Sequence, residues 1–355
     1  MDVIRPFERH DIPAVAKLFR WAFQRNGTHT DGELESYFDQ LFFENPWRED
    51  DLPSWVHADD QGTIDGFIGV QPKRLRFRGR SIRAITATKL MAAPTATPLV
   101  ASRLLRRVLA GPQQLLYSDI ANDAGRRIFE ALGGCTIMLY SLKWQRPLRP
   151  ARHAIAWLGA RGAPGAVTGL LRPIGSALDS VLKRGGPTEV AAIADGYVIE
   201  DLPLDVLAQR LPDLVGNRPL HPEYDERWLD WIVRVAQQTM PRAVLRRRLV
   251  RDAAQRPAGW FLYFLEPGAS AEVLQLVARK DAYAAVFDAL LADARDAGAT
   301  MLSGRLEPSM VAEMSARHCV FRQADHWTLV QTNDPEILGT IAAGRGFLSR
   351  LEGEW

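Results

Sequence analysis

The chain has 355 residues, 47% hydrophobic and 24% charged, with a formal net charge of +2. With a mean hydropathy of -0.14 and a pI near 8.6, it reads as a globular protein without the global basic footprint of a polyanion binder. Its two cysteines, Cys135 and Cys319, exclude a disulfide framework and a zinc knuckle.

The length suits two domains of about 100–200 residues each. The charged opening MDVIRPFERHD lacks the apolar core of a signal peptide, and no run of about 18 apolar residues occurs. A cytoplasmic location with reduced thiols is expected, where the sequon at Asn26-Gly27-Thr28 carries no meaning.

A short strand is predicted at Val3–Arg5, then a helix capped by Asp11 with Pro13 in its first turn. Val15, Leu18, Phe19, Ala22 and Phe23 give that helix one apolar stripe. Leu34, Tyr37, Phe38, Leu41 and Phe42 mark a second helix, which ends at Asn45-Pro46. Residues 54–59 and 66–72 read as a hairpin, and 73–91 as a second pairing turned at Arg78–Arg80. From Pro98 a helix turns Val100, Ala101, Leu104, Leu105 and Val108 inward and stops at Gly111-Pro112. A strand over 114–120, a helix from Asn122-Asp123 and a strand over 136–144 complete the first half.

Residues 145–190 are rich in Ala, Gly, Pro and Arg and read as a connector. The element order then recurs. A helix with Trp228, Trp231, Ile232 and Val235 precedes a hairpin (244–252 with 259–265), a strand (272–278) and a helix with Val286, Phe287, Leu290 and Leu291. A strand (300–306), a short helix (308–318) and a strand near 326–330 end the repeat. The fold class is α/β (α+β) with two tandem units. Each is a mixed, mainly antiparallel sheet with a parallel strand–helix–strand core and flanking helices. The expected divisions are 1–145, a basic connector at 146–194, a second unit at 195–335 and a tail at 336–355.

Three stretches carry a resemblance. IRPFERHDIPAVAKLF, LMAAPTATPLVASRLL and ANDAGRRIFEALGG resemble the first strand and helix, the pyrophosphate loop and the Asn-led helix of the GNAT superfamily of acyl-CoA-dependent N-acyltransferases. The resemblance covers 1–144 by motif and about 195–332 by element order, so the chain looks like tandem GNAT-like units. It implies acetyl-CoA or another acyl-CoA as co-substrate. It also implies a small-molecule amine acceptor, an amino sugar or amino acid, in the cleft between the units.

The loop departs from the family pattern Gln/Arg-x-x-Gly-x-Gly/Ala. Its positions fall on Ala96, Leu99 and Ala101, and only Ala101 fits. Glycine lets a backbone approach a phosphate closely, and Pro98 has no N–H to donate. A helix N-terminus still offers N–H groups and a positive dipole end. The resemblance therefore places the pyrophosphate at Thr97, Leu99, Val100, Ala101 and Ser102, with Arg103 at the rim. It lays pantetheine along the backbone of Leu90, Met91 and Ala92, and gives Asn122 a hydrogen bond to that arm. The equivalent turn of the second unit, VARKDAYAAVF, has no matching pattern and is expected to bind no acyl-CoA.

The family's proton-donating tyrosine falls on Phe129, which cannot donate. Tyr117, Asp119 and Tyr140 are the remaining catalytic candidates. Asp119 is the best base or amine-orienting group, because it stands at the C-terminal end of a parallel strand. The alternative is that Asp119 only caps the next helix, and Asn122 is equally suited to that capping. His318, Cys319 and His326 lack carboxylate partners at ligand spacing, so no metal is expected. Trp228, Trp231, Trp260, Phe261 and Tyr263 suit a core. Six arginines over 242–256 suit a partly solvated strand edge. DNA and tRNA are not expected as partners. The segment 149–184 can pack across the units or contact an anionic membrane surface. Oligomeric state is open. Two other readings stand beside the acyltransferase: a non-catalytic GNAT-fold binding protein with a decayed loop, and a Fem-like transferase using aminoacyl-tRNA.

Overall fold

The computed structural model describes residues 2–23, 29–97, 99–160, 173, 179, 193–216, 218–266 and 270–355. The sequon, Pro98 and most of 149–184 lie outside them. In chain order the strands are β1 (Val3–Pro6), β2 (Trp55–Ala58), β3 (Ile64–Phe77), β4 (Arg80–Ala92), β5 (Leu115–Ala121), β6 (Cys135–Thr136) and β7 (Leu142–Pro147). There follow β8 (Val198–Asp201), β9 (Leu220–Pro222), β10 (Val244–Arg251), β11 (Pro257–Leu265), β12 (Ser270–Ala278), β13 (Met301–Arg305), β14 (Val320–Gln323) and β15 (Trp327–Gln331).

Among the described residues they form two sheets. One runs β1-β2-β3-β4-β5-β15-β6, with β9 added to the far half of β3. The other runs β14-β7-β13-β12-β11-β10-β8. Each contains a parallel pair joined by a helix, β4 with β5 and β12 with β13. The tandem GNAT-like arrangement read from the sequence is therefore present.

Three details differ from expectation. The strand predicted over 136–144 is broken by a 3-10 turn at Leu139–Ser141. After that turn the chain leaves the first sheet, and β7 inserts between β13 and β14. In return β15 inserts between β5 and β6, so each half completes the other's sheet. Asp11 is not a helix cap. It occupies the third position of a capping box led by Glu8, accepting the Glu8 N–H at 2.9 Å while Arg5 forks its carboxylate at 2.7 Å. The arginine-rich strand β10 is an edge only in part: β8 pairs with Arg248–Arg251 and leaves Val244–Arg246 uncovered. Arg246 and Arg248 share Asp293 at 3.1 and 3.2 Å.

Helices α1 (Ile12–Phe23) and α2 (Asp31–Phe42) pack on one face of the first sheet, and α3 (Val100–Leu109) and α4 (Asp123–Ala131) on the other. The alternation of strand side chains separates them: Phe67 joins the α1/α2 core, and Ile68 the α3/α4 core. That first core runs on into the second half. Trp228, on the helix Glu226–Thr239, stacks on Trp47 at 4.5 Å. The Trp231 indole donates to the Gln40 carbonyl at 2.8 Å. Each buried ring removes on the order of 150–250 Å² from water, worth roughly 4–6 kcal/mol at about 25 cal/mol per Å². No helix among the described residues is long and apolar enough to cross a membrane.

Two glycines on β3 allow this close layering. A Cβ at Gly66 would overlap Val100 of α3, and one at Gly69 would overlap the Phe42 ring. Gly69→Ala is expected to destabilise the protein by about 1–3 kcal/mol through overpacking. Urea unfolding should show a lower midpoint with an unchanged slope.

Candidate functional site

The parallel pair β4–β5 is short. Only Ala84–Thr86 lie opposite Leu115–Tyr117, although β4 runs to Ala92 and β5 to Ala121. Beyond Thr86 the strands part. A β-bulge accompanies the split: Gly69 faces Thr88 and Phe67 faces Met91, so Lys89 and Leu90 together oppose Ile68. Lys89 takes the left-handed conformation, φ +53°, which is uncommon for a residue with a Cβ. In such a bulge the extra residue leaves the hydrogen-bond ladder.

The split opens a cleft of about 550 Å³, walled by Ala87, Leu90, Ala101, Leu105, Asn122 and Ile128. A chamber of about 790 Å³ lies beside it between the two halves, walled by Leu34, Tyr37, Pro241, Arg350 and Trp355. Phe19, Lys89, Ile120 and Glu354 belong to both. The two spaces therefore meet at one lysine and one glutamate.

Glu354 comes from the end of the chain. After the helix Pro335–Ala342 the backbone passes between the sheets, where the Phe347 N–H bonds Leu220 O at 2.7 Å and the Leu351 N–H bonds Leu274 O at 3.1 Å. Glu354 and Asp119 then exchange bonds: the Glu354 N–H donates to Asp119 Oδ1 at 2.7 Å, and the Asp119 N–H donates to Glu354 Oε1 at 2.9 Å. Ser118 also donates to Glu354 Oε1. Asp119 is paired with Arg305 and lies 3.7 Å from Arg350, whose guanidinium rests on the Trp355 ring at 4.4 Å. Gly353 is required here, since a Cβ would overlap the Asp119 carboxylate.

The electrostatics divide the two carboxyls. Burial would raise Asp119, but Arg305, Arg350 and the Glu354 N–H outweigh it and hold the group below the usual carboxylate range. Glu354 is raised, first by burial and then by the Asp119 charge. Burial pushes Lys89 down to about 8, against the attraction of Glu354. One step deeper, burial lifts Glu352 to about 8 and lowers Lys73 to about 8. Glu352 accepts from Ser349 and from Gln275 at 3.0 Å.

The sequence-derived candidates separate into groups. Leu90, Ala101 and Asn122 face the cleft, and the Asn122 side chain also caps α4 by accepting the Gly125 N–H at 2.8 Å. Met91 and Val100 are buried beneath it, Ala92 is half-buried, and Thr97 and Leu99 are exposed. Val100 N–H bonds Thr97 O at 3.1 Å and Arg103 N–H bonds Leu99 O at 2.9 Å. The N–H groups of Ala101 and Ser102 are thus the first-turn donors of α3. The Ser102 hydroxyl turns back to Leu99 O at 2.8 Å. Arg103 is taken up by Asp2, with His57 Nε2 at 3.4 Å. Tyr117 and Tyr140 direct their hydroxyls at the tail, to Glu352 O at 2.8 Å and Gly346 O at 2.5 Å, and burial raises both. Asp119 is drawn into the ion pair.

Glu354, Arg350, Arg305, Tyr37 and the Lys89 side chain were not singled out from the sequence. For Glu354 and Arg350 the one signal is FLSRLEGEW, where Phe347, Leu348, Leu351 and Trp355 are interspersed with charged residues. An apolar segment of that kind, once buried, needs partners for its charges.

The second unit repeats the split but not the opening. β12 pairs with β13 only over Ser270–Val273, and the space beyond is occupied by the tail, with Leu351 bonded to Leu274. Its turn is also neutralised, since Arg279 is held by Asp252 and Asp281 at 3.0 and 3.1 Å.

No family model and no curated protein sequence matches the chain. Its structure is similar to that of a conserved protein of unknown function from Enterococcus faecalis V583, named a probable N-acyltransferase (TM-score 0.62, 9% identity, 94% of this chain and 73% of that one). It is similar to a GCN5-related N-acetyltransferase from Anabaena variabilis ATCC 29413 (0.60, 12%, 93% and 72%). It is also similar to Saccharomyces cerevisiae N-myristoyltransferase with bound myristoyl-CoA (0.52, 10%, 93% and 77%). A split parallel pair, a bulge beside it and a second copy of the same unit give this chain the tandem form of the GCN5-related N-acetyltransferase fold.

Proposed function

We propose that the protein is an acyl-CoA-dependent N-acyltransferase that moves an acetyl or longer acyl group from the CoA thioester to an amine. The observation that carries this reading is the meeting of cleft and chamber at one buried carboxylate, Glu354. The cleft residues fit an acyl-CoA. The open edge of β4 at Ala87–Leu90 offers unpaired backbone to the amides of a pantetheine arm, as an added strand would. The Ala101 and Ser102 N–H groups suit its phosphates. The bulge backbone at Lys89–Leu90 is assigned to polarising the thioester carbonyl.

In the proposed step the acceptor, held in the chamber as an ammonium, gives a proton to Glu354. The freed amine attacks the thioester carbon, a C–N bond forms as the C–S bond breaks, and the CoA thiolate takes the second proton shed by that nitrogen, while Glu354 returns its own to solvent. Glu354 is assigned as base in place of Asp119 because its carboxyl is raised toward the working range, whereas Asp119 is held ionised by Arg305. Tyr117 and Tyr140 are assigned to holding the tail.

Calorimetric titration with acetyl-CoA and longer acyl-CoAs is expected to show micromolar binding, weakened at least about tenfold (about 1.4 kcal/mol) by Leu99→Glu, which sets a negative charge at the α3 start. Absence of binding by every acyl-CoA would end this reading and favour the binding-only or tRNA-dependent alternatives. Glu354→Gln should lower kcat by about 10²–10⁴ while acyl-CoA still binds. The active form is the carboxylate, so kcat/KM of the wild type should rise with pH through a value above an ordinary glutamate's, and the Gln variant should lack that limb. Asp119→Asn instead leaves Arg305 without its charge partner. Its expected effect is a stability loss of about 3–5 kcal/mol, read as a lower urea midpoint.

A further inference from the structure

The chamber walls narrow the choice of acceptor, on the reading that the chamber is the acceptor site. Lys89 is the informative residue. Among the described residues its ammonium makes no hydrogen bond and no ion pair, and it lies over the Phe19 ring, 5.6 Å from the centroid. It is held there by a left-handed backbone at the bulge. Strain of that kind persists where the surrounding structure over-determines it, and it gathers at ligand sites. Glu354 and Asp119 attract it from beyond ion-pair contact, and a half-buried cation with no direct partner is costly unless something completes it.

A second cation stands on the same wall. Arg350 spends one N–H on the Glu354 carbonyl, lies 3.7 Å from Asp119 and rests over the Trp355 ring. A guanidinium has five N–H donors, so donors remain toward the chamber that Arg350 lines. Glu354 and Glu33 line the same chamber, and Glu33 accepts the Thr30 N–H and hydroxyl at 2.6 and 3.0 Å. The remaining wall has an apolar part, Phe19, Leu34, Ile120, Pro241 and Trp355, beside hydroxyl, amide and imidazole side chains.

We propose that the acceptor is an anionic amine. Its reactive nitrogen meets Glu354, a carboxylate or phosphate on the same molecule pairs with Lys89 and Arg350, and its body lies against the apolar wall. The depressed ammonium of Lys89 fits this assignment, because an incoming anion would restore the charge that burial disfavours. Apolar amino acids and phosphorylated amino sugars share this chemistry.

The test is acceptor binding to the CoA-loaded protein, measured by calorimetry with paired probes: L-leucine against L-leucinamide, and glucosamine 6-phosphate against glucosamine. At least one anionic probe should bind tenfold or more tightly than its neutral partner, and the pair that shows the preference identifies the anion. Lys89→Met should collapse that ratio, and Lys89→Arg should keep a substantial part of it. Turnover of the same pairs should show the preference mainly in KM. Equal binding within both pairs, or no binding by any probe, overturns the proposal. So does a Met variant that weakens both members of the preferred pair equally, which would assign Lys89 to packing. Failure of acyl-CoA to bind or of any amine to be acylated would instead count against the acyltransferase reading itself.

Discussion

Asp119 carries a negative charge at a position where its side chain has no exposure to solvent. An unpaired carboxylate there would lose several kcal/mol of hydration. Arg305 arrives from the second sheet and Arg350 from the end of the chain, and together they make the position tolerable. The two halves and the tail must therefore be in place at once. Glu354 inherits its location from this arrangement, because it is tied to Asp119 by two reciprocal backbone–carboxylate bonds. Two adjacent carboxyls then take opposite characters, one fixed as an anion and one able to accept a proton. A charge-pairing requirement at one point thus sets the chemistry at the next.

The two copies of the fold have been put to different uses. Both contain a parallel pair that parts after three or four residues. In the first copy the gap is open and continuous with a chamber. In the second it is filled by the chain's own tail, and the same tail then delivers Glu354 to the first. The second unit thus holds the segment that brings Glu354 against Asp119.

Much of the fold was legible because it is local. The stripes of α1 to α4 and the β3–β4 hairpin follow from short-range periodicity, and the cleft residues Leu90, Ala101 and Asn122 follow from those elements. Partner choice between strands is not local, and nothing in TIMLYSLKW or HWTLV states which sheet will receive it. RLEGEW falls in what the sequence marks only as a tail, because a sequence window cannot show that Ser118, Gln275 and Arg305 await its charges. The role of the Lys89 side chain is not legible, since a left-handed residue at a bulge has no mark in composition. Tyr117 and Tyr140 have the right chemistry for catalysis, but burial spends their hydroxyls on tail carbonyls.

The exchange of β7 and β15 bears on how the protein is made. Leu116 of β5 waits for Gln331 as its partner, and β7 waits for β13. At about 5–20 residues per second of synthesis, the β5 edge stays open for on the order of ten seconds or more on the ribosome. Throughout that interval the nascent first half presents an unpaired, apolar strand edge, a template for pairing with other chains. Production in the cell is thus governed by how well that edge is shielded during elongation, and slow translation of the second half prolongs the hazard.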